Sequence, residues 1–451
     1  MTNEQGKLGT LECIMILTGG MIGAAIFSLS GLTYAMAGAA SIISWIIGGG
    51  ILLLYGMQTA ELCTIYPQSG GMFAFPYEAL GKKRVSKEAW GWLAAWSLLN
   101  VNIFCAGSSA MYVSSYLGQS FPALANYTVA IAVIWSVVCT LLCLFNITVA
   151  GRVNLVLTLA LVALMLLYAV IGFTSGKFDP ANYTPFFSRG SLGATGFVSA
   201  IPIAMLAYNA IVSVAFMMNQ VKNPKKTVPQ SMIIAMVFTL ICYVLVIVST
   251  IGLLAVEAFQ DPTAAWMQYV PLYAVAWFVL NNLPWLHYVI TIAAVLALTT
   301  TMLVVIMTSG WTVQAAADKG LLPKSLAKVN EKTGTPVAAM ALVGIVTTVV
   351  ACFPGFISEV INCGAMTGAI AVVIIALTLL AARKQHTYVP GDFRLGGGAA
   401  LPIITIALVV FFILPGLFQA CRYWGLTLGW YAVGLVIFLL CQIGAKNRTI
   451  G

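Results

Sequence analysis

The chain has 451 residues, of which 61% are hydrophobic and 7% are charged. A soluble domain carries about 25% charged residues, so this composition excludes a soluble protein and predicts a polytopic, all-α membrane protein. The net charge of +9 could indicate nucleic-acid binding, but the positions of the basic residues given below favour membrane topology and no nucleic acid.

Apolar segments bounded by charged residues, proline and glycine predict about twelve transmembrane helices, because one span needs about 20 residues. The predicted spans are residues 10–36, 40–65, 89–117, 127–149, 153–173, 195–219, 230–256, 285–314, 335–354, 359–382, 399–421 and 424–444. We expect one transmembrane domain over residues 1–451. Its cysteines are scattered through apolar segments, which is typical of free thiols.

The basic residues fix the predicted orientation. If the N-terminus is cytoplasmic, 18 of the 21 Lys and Arg residues lie on the cytoplasmic side, and only Lys177, Arg189 and Arg422 lie outside. The positive-inside rule therefore predicts a multi-pass protein of the plasma membrane with both termini in the cytoplasm.

Three glycines interrupt the first span: Gly19, Gly20 and Gly23. Glycine is a poor helix former, so this cluster predicts that the helix opens in mid-membrane. Open backbone persists at that depth only where it is buried in protein or lines a cavity, which makes the segment a candidate binding site. The alternative is that the glycines let another helix pack closely.

A second interruption is predicted in the sixth span. Pro202 cannot donate a helical hydrogen bond, and Tyr208 and Asn209 are polar residues in an otherwise apolar segment. Transporters built from inverted repeats have broken helices at matching positions of two halves. We therefore expect halves over about residues 10–173 and 195–382, followed by accessory spans over about 399–444.

Several motifs resemble the amino acid–polyamine–organocation (APC) superfamily of permeases. Residues 19–27 resemble its first-span glycine signature, residues 61–78 its second-span segment, and residues 207–210 its sixth-span motif. The loops at residues 221–229 and 318–323 are also similar to the family's loops. The resemblance implies a LeuT-like five-plus-five inverted repeat with broken helices 1 and 6, two further spans, and alternating access.

The sequence departs from the family pattern at several positions. Ala25 and Ala210 replace glycines, Val212 replaces an acidic residue, and Gln220 replaces glutamate. The lysine that many proton-dependent members carry in span 5 is absent, and Leu161 lies near its expected place.

The helix that restarts after Gly23 has a positive N-terminal end, which suits a carboxylate, and the carbonyls released near Gly19 and at Tyr208 and Asn209 suit an ammonium group. These two groups together describe a zwitterionic amino acid. The resemblance implies the same substrate contacts, namely Ile22, Gly23, Ala24 and Ala25 for the carboxylate, and Leu17, Thr18, Ala207, Tyr208 and Asn209 toward the amine.

Polar residues of spans 3, 6, 8 and 10 are candidates for the selectivity pocket, although such side chains also join membrane helices. They are Trp96, Asn100, Asn102, Tyr208, Thr299, Thr300, Thr301 and Asn362. No charged residue lies in the central third of a predicted span. A charged substrate would lack a partner there, so we expect an uncharged side chain.

The sequence constrains the coupling ion less than any other functional feature. Gly19, Ala297, Thr300 and Thr301 have the residue types and spacing of a sodium site between spans 1 and 8. Proton coupling and exchange without an ion are the alternatives, and no other cofactor or metal is expected. Glu12 and Glu61 lie at the cytoplasmic ends of spans 1 and 2, where a solvated helix end is the commoner explanation and gating or proton coupling is the alternative. His287 and His386 lie at span edges.

These features favour a secondary active transporter that moves a small neutral amino acid across the plasma membrane. The alternative is an exchanger for amino acids and amines, or a carrier of a modified amino acid or organic amine. An enzyme is not expected, because catalytic His, Asp or Glu residues are missing from the predicted membrane interior. The expected partners are a small-molecule substrate and the lipid bilayer, and the sequence does not predict an oligomeric state.

Overall fold

The computed structural model describes residues 8–67, 70–144, 147–386, 388, 392–419 and 424–448. Within these residues the regular structure is helical. The α-helices are α1 (Thr10–Ile22), α2 (Ala24–Ala37), α3 (Ser41–Ile65), α4 (Gly71–Ala79), α5 (Arg84–Ser120), α6 (Thr128–Cys143), α7 (Ile147–Thr174), α8 (Gly196–Leu206), α9 (Pro224–Leu253), α10 (Val256–Gln260), α11 (Pro271–Phe278), α12 (Leu286–Asp318), α13 (Val337–Ala351), α14 (Ile357–Gln385), α15 (Ala400–Gln419) and α16 (Trp424–Arg448).

Nine helical runs of the described residues are long and apolar enough to cross a membrane. The first run, Thr10–Ile65, contains α1, α2 and α3, and two shorter apolar helices, Val337–Ala351 and Ala400–Phe412, add to the set. A helix needs about 20 apolar residues to span the hydrocarbon core. The predicted all-α polytopic membrane fold is therefore confirmed.

Two spans are broken. The first divides into α1 and α2 at Gly23, and the sixth consists of α8 followed by a 3₁₀ helix over Asn209–Gln220. A 3₁₀ helix of 12 residues is unusually long, because the tighter hydrogen bonds are rarely kept beyond four residues. The helix continues through Pro202 and ends at Leu206, so the second break lies at Tyr208 and Asn209 and not at Pro202, the other residue from which it was predicted.

The order of the elements after each break is similar. The first broken span is followed by α3, the short helix α4, the long helix α5, and α6 and α7. The second is followed by α9, the short helices α10 and α11, the long helix α12, and α13 and α14. The two long helices, α5 and α12, share the most extensive helix–helix contact in the bundle, and α5 also packs along α14.

A buried ion pair joins α3 to α14. Two of the three guanidinium nitrogens of Arg383, Nε and Nη2, donate to the Glu61 carboxylate, at 2.7 and 2.6 Å. The Leu395 amide donates to the same carboxylate at 2.9 Å, and the Tyr388 hydroxyl is a further donor. The Glu61 side chain is fully buried, so the expectation of a solvated helix end was wrong. Burial first, and then the hydrogen bond to Glu61, raise the pKa of Tyr388 to about 12.

The other titratable residues at span ends have structural contacts. The Glu12 carboxylate accepts from the Gly9 amide at 3.0 Å, which satisfies a donor at the start of α1. His287 packs edge-on against Trp277, with ring centres 5.0 Å apart. His386 Nε2 lies 3.2 Å from an Asp392 carboxylate oxygen.

Candidate substrate site

The break between α1 and α2 is confined to Gly23, which has φ −50° and ψ −98°. The last four carbonyls of a helix have no amide partner within that helix. In α1 these are the carbonyls of residues 19–22. A buried carbonyl without a partner is costly, so other helices must supply donors.

Hydroxyl groups of two other helices supply them. The Thr300 hydroxyl donates to the Gly19 carbonyl at 3.1 Å, and the Thr301 hydroxyl donates to the Gly20 carbonyl at 3.2 Å. The Tyr243 hydroxyl, from α9, donates to the Met21 carbonyl. The end of α1 is therefore held by side chains of α12 and α9.

Gly23 lies against α12 so closely that no side chain fits. A Cβ atom on this residue would lie 1.6 Å from the Thr301 hydroxyl oxygen and 2.4 Å from the Ala297 carbonyl oxygen. Helix packing thus explains the glycine at this position, as the alternative interpretation of the sequence held. The same contact brings Ala297 and Thr301, two of the four residues of the predicted ion site, next to the first break.

The second break is organised around aromatic rings. Tyr208 lies between α8 and the 3₁₀ helix, and its ring packs edge-on against Trp45 and Tyr243, at 6.1 and 5.2 Å between centres. Its hydroxyl donates to the Trp45 carbonyl at 3.2 Å. These contacts place the Tyr208 side chain in the packed core between helices.

Tyr243 contacts both breaks. Its hydroxyl donates to the Met21 carbonyl and lies 3.3 Å from the Ala207 carbonyl. These two carbonyls belong to α1 and to the segment after α8, which are 186 residues apart in sequence. One hydroxyl therefore links the two interrupted spans.

We expect Tyr243→Phe to lower uptake strongly, because the Met21 and Ala207 carbonyls lose this donor. An unsatisfied buried polar group costs about 1–3 kcal/mol. Uptake into proteoliposomes and the melting midpoint measure the effect. Tyr168→Phe is the matched control. The buried hydroxyl of Tyr168 lies away from the two breaks and is hydrogen-bonded to the Thr250 hydroxyl at a distance of 3.0 Å. If both variants lost the same amount of uptake, the link that Tyr243 makes between the two broken spans would have no special role in transport.

A cavity lies beside the two breaks, between two groups of helices. One wall comes from α1, α2, α8 and the 3₁₀ helix, and its residues are Gly20, Ala25, Ser28, Leu29, Leu206, Asn209 and Ala210. The other wall comes from α5, α12 and α14, and its residues are Val101, Phe104, Cys105, Ser108, Tyr112, Thr301, Val305, Val360, Ile361 and Gly364.

The cavity is apolar with a few uncharged polar groups. Among the described residues that line it, none carries a charge. The polar groups are the hydroxyls of Ser28, Ser108, Tyr112 and Thr301, the Cys105 thiol and the Asn209 amide. Small-molecule sites have this composition, with apolar walls and a few polar groups that fix orientation.

The structure brings some of the predicted site residues to this cavity. Ala25, Asn209 and Thr301 line it, and Gly20 lines it next to the predicted Gly19. The Asn209 amide donates to the Asn102 side-chain oxygen at 3.3 Å, so Asn102 lies directly behind this wall. Ala24 begins α2, and its side chain lies outside the described part of the structure.

Other predicted residues are buried away from the cavity. Thr18 and Ile22 are fully buried in α1. Asn100 faces α14, where its oxygen accepts from the Thr367 hydroxyl at 2.8 Å. Two further candidates contact neighbouring helices, since Trp96 stacks on Trp430 and Thr299 accepts from Trp135. Asn362 donates to the Ser358 carbonyl of its own helix, α14.

Sequence reasoning missed the α5 wall. Val101, Phe104, Cys105, Ser108 and Tyr112 line the cavity from this helix. Their spacing of three, four, seven and eleven residues from Val101 defines one helical face. This periodicity is present in the sequence, but the amides and the tryptophan predicted for the pocket lie at other positions of the same helix.

Loops between α7 and α8 and after α9 cover the end of the bundle where α2 ends. The Ser191 amide donates to the Ala35 carbonyl at 2.9 Å, and the Gln260 side chain donates to the same carbonyl at 3.2 Å. Arg189 bonds the Glu257 carboxylate with two nitrogens, at 2.7 and 3.0 Å. This ion pair fastens the two loops to each other.

The loop ion pair predicts a pH effect. The hydrogen bond from Arg189 is the main cause that lowers the pKa of Glu257. A carboxyl with a lowered folded pKa contributes stability above its unfolded pKa of about 4.3 and loses it as the pH falls through the folded value. We therefore expect Glu257→Gln to lower the melting midpoint at pH 7, with the difference from wild type shrinking below about pH 4.3.

The expected loss of stability in Glu257→Gln is modest. The Glu257 side chain is 57% exposed, and exposed ion pairs contribute up to about 1 kcal/mol. Arg189→Gln provides the control, since Glu257→Gln should have little further effect in that background. A pH-independent effect of Glu257→Gln would contradict the assignment.

The fold is that of a multi-helix membrane protein with a cavity beside two broken spans. Residues 8–439 match the family described as amino acid permease. The chain belongs to this family, as the sequence motifs predicted.

Named relatives carry different substrates. The chain is 26% identical to the methylthioribose transporter and 27% identical to the branched-chain amino acid permease BcaP, both of Bacillus subtilis; each comparison covers 96% of this chain and 92% of the relative. It is also 26% identical to the aspartate-proton symporter of the same organism, over 75% of this chain and 66% of the relative. The relatives are transporters of amino acids or other small organic compounds.

Proposed function

We propose that the protein is a secondary active transporter of a small neutral amino acid. It works by alternating access in the plasma membrane, with both termini in the cytoplasm. The observation that carries the proposal is the uncharged cavity between the two broken spans. A charged side chain inside a membrane protein needs a partner, and the described lining residues offer none.

The walls fit the two ends of such a substrate. α2 begins at Ala24, and the first amides of a helix suit a carboxylate. Ala25 lines the cavity, so this end of α2 lies beside it. The Asn209 side chain and the backbone at the second break offer acceptors for the ammonium group. Val101, Phe104 and Val305 form an apolar surface for the side chain.

A relative supports an apolar side chain, since BcaP is named as a branched-chain amino acid permease. A second candidate is an uncharged thio-sugar, because another relative is named as a methylthioribose transporter. Both substrates are compatible with a cavity that has apolar walls and several hydroxyl groups.

Uptake into proteoliposomes separates these candidates. Labelled isoleucine, methionine, methylthioribose, lysine and aspartate are offered in turn, with unlabelled substrate inside or outside. The proposal predicts uptake of isoleucine or methionine and none of lysine or aspartate. Uptake of methylthioribose alone would favour the second candidate, and uptake of lysine or aspartate would overturn the neutral substrate.

Filling the cavity should stop transport without unfolding the protein. Ser108 lines the cavity, and its hydroxyl donates to the Cys105 carbonyl of its own helix at 3.1 Å. We expect Ser108→Leu to reduce uptake at least about tenfold, which corresponds to 1.4 kcal/mol of lost binding. Ser115→Leu is the matched control, because Ser115 lies on α5 outside the cavity lining and also bonds its own helix. Normal uptake by Ser108→Leu would contradict the assignment of the cavity.

Sodium and pH gradients imposed in the same uptake assay distinguish the modes of coupling. Ala297, Thr300 and Thr301 bring oxygen atoms to the end of α1, and released carbonyls with hydroxyls are suitable sodium ligands. In the structure these hydroxyls donate to the Gly19 and Gly20 carbonyls, so sodium would have to replace those hydrogen bonds. Sodium coupling predicts stimulation by a sodium gradient that Thr301→Ala removes. Proton coupling predicts stimulation by a pH gradient, and exchange predicts dependence on internal substrate.

A further inference from the structure

Four lysines lie near the start of α5 and the end of α12, and two of them lie over the ring of Tyr77. Lys82 and Lys83 immediately precede α5, Lys87 lies in its first turn, and Lys319 follows the last residue of α12. Lys87 Nζ is 5.9 Å and Lys319 Nζ is 5.4 Å from the centre of the Tyr77 ring. We name these four lysines and Tyr77 the lysine cluster.

Acidic residues do not neutralise this cluster. In the described part of the chain, the ion pairs near this end engage Glu88 with Arg84, Glu61 with Arg383, and Asp392 with Lys225 and His386. None of these pairs includes a lysine of the cluster. Glu78 and Asp318 neighbour Tyr77 and Lys319 in sequence, and two carboxylates leave the four lysines in excess.

The cluster lies where aromatic and apolar side chains also occur at a surface. Tyr77 stacks on Phe73 of the same short helix, α4, with ring centres 5.7 Å apart. Val85, which lies between Lys83 and Lys87 in sequence, is 56% exposed. Tyrosine is typical of the boundary between lipid and water, and an exposed apolar residue beside lysines fits the same boundary.

We propose that the lysine cluster binds the headgroup of an anionic phospholipid. The phosphate lies between Lys87 and Lys319 beside the Tyr77 ring, Lys82 and Lys83 add to the positive field, and Val85 contacts the glycerol and upper acyl region. The occupant follows from charge complementarity and from the position of the cluster at the ends of two candidate membrane spans, Arg84–Ser120 and Leu286–Asp318, since the ends of spans lie near lipid headgroups. Clusters of basic residues beside a transmembrane helix bind anionic lipids in this way.

The test measures lipid affinity of the full-length protein in neutral detergent. Short-chain phosphatidylglycerol, short-chain phosphatidylcholine and glycerol 3-phosphate are each titrated while the melting midpoint is followed. We expect phosphatidylglycerol to raise the midpoint at concentrations where the other two compounds do not. The triple variant Lys82→Gln/Lys87→Gln/Lys319→Gln should need about fivefold more phosphatidylglycerol per lysine removed, or on the order of 100-fold more in total.

A control variant removes the same charge elsewhere. Lys222→Gln/Lys226→Gln/Lys332→Gln changes three exposed lysines outside the cluster and should keep the wild-type response. The proposal is overturned if the cluster variant responds like wild type, or if the control variant loses as much affinity. It is also overturned if phosphatidylcholine acts as well as phosphatidylglycerol, because binding would then not require a negative headgroup. If glycerol 3-phosphate acts as well, the cluster is a site for free anions and the proposal is overturned too. Because the cluster lysines are at the protein surface, the melting midpoint without lipid shows directly that each variant is folded.

Discussion

Arg383→Ala is expected to lower the free energy of unfolding by about 3–5 kcal/mol, because it leaves the Glu61 carboxylate buried without its partner. The Glu61 side chain has no exposed surface, and Arg383 is 10% exposed. The guanidinium also donates to the Leu395 carbonyl at 2.8 Å, so the variant releases the segment after α14 as well. Chemical or thermal unfolding in detergent measures the loss.

Two further variants distinguish the loss of the ion pair from a general destabilisation of this part of the protein. Lys384→Ala changes the neighbouring exposed residue and should stay within about 0.5 kcal/mol of wild type. The double variant Glu61→Gln/Arg383→Ala should be more stable than Arg383→Ala alone, because no uncompensated charge stays buried. A double variant that is less stable than the single one would contradict this explanation.

Gly23→Ala is expected to abolish uptake and to destabilise the fold by about 1–3 kcal/mol or more, the usual cost of overpacking. The new methyl group would overlap the Thr301 hydroxyl, 1.6 Å away, and the Ala297 carbonyl oxygen, 2.4 Å away. The oxygen of Ala297 belongs to the backbone, so a change of side-chain rotamer cannot remove the overlap. α1 and α2 would have to move away from α12, which opens the wall of the cavity.

Gly50→Ala is the matched control for this variant. Gly50 is a glycine inside α3, and a Cβ atom there would meet no heavy atom within 4 Å. Alanine is the better helix former, so this change should be neutral or stabilising by up to about 1 kcal/mol. If Gly23→Ala behaved like Gly50→Ala, the close contact between the first break and α12 would be wrong.

The fold was largely predictable because its determinants are local in sequence. Apolar segments of about 20 residues indicate spans without knowledge of their partners, and the glycines around Gly23 indicate the first break. The second break was predicted in the correct span but assigned partly to Pro202. The helix tolerates this proline within α8 and ends later, where Tyr208 can pack between Trp45 and Tyr243.

The details of the site depend on contacts that local sequence does not reveal. Tyr243 lies in an ordinary apolar span, and only the folded chain places its hydroxyl between the Met21 and Ala207 carbonyls. Glu61 was interpreted from its position at a span end, and its partner Arg383 is 322 residues away. Side-chain direction caused the remaining differences, since Asn100 and Asn102 lie two residues apart on α5 and face different neighbours.

Protection of Cys105 by substrate tests the central claim most directly. Cys105 is a partly buried residue that lines the cavity, and Cys352 is an exposed residue outside its lining. Alkylation of both is followed by peptide mass spectrometry, with isoleucine, methionine, lysine or aspartate present. We predict that isoleucine or methionine slows alkylation of Cys105 several-fold without affecting Cys352, while lysine and aspartate change neither. Equal alkylation of Cys105 under all conditions, in protein that transports a neutral amino acid, would show that the substrate binds elsewhere.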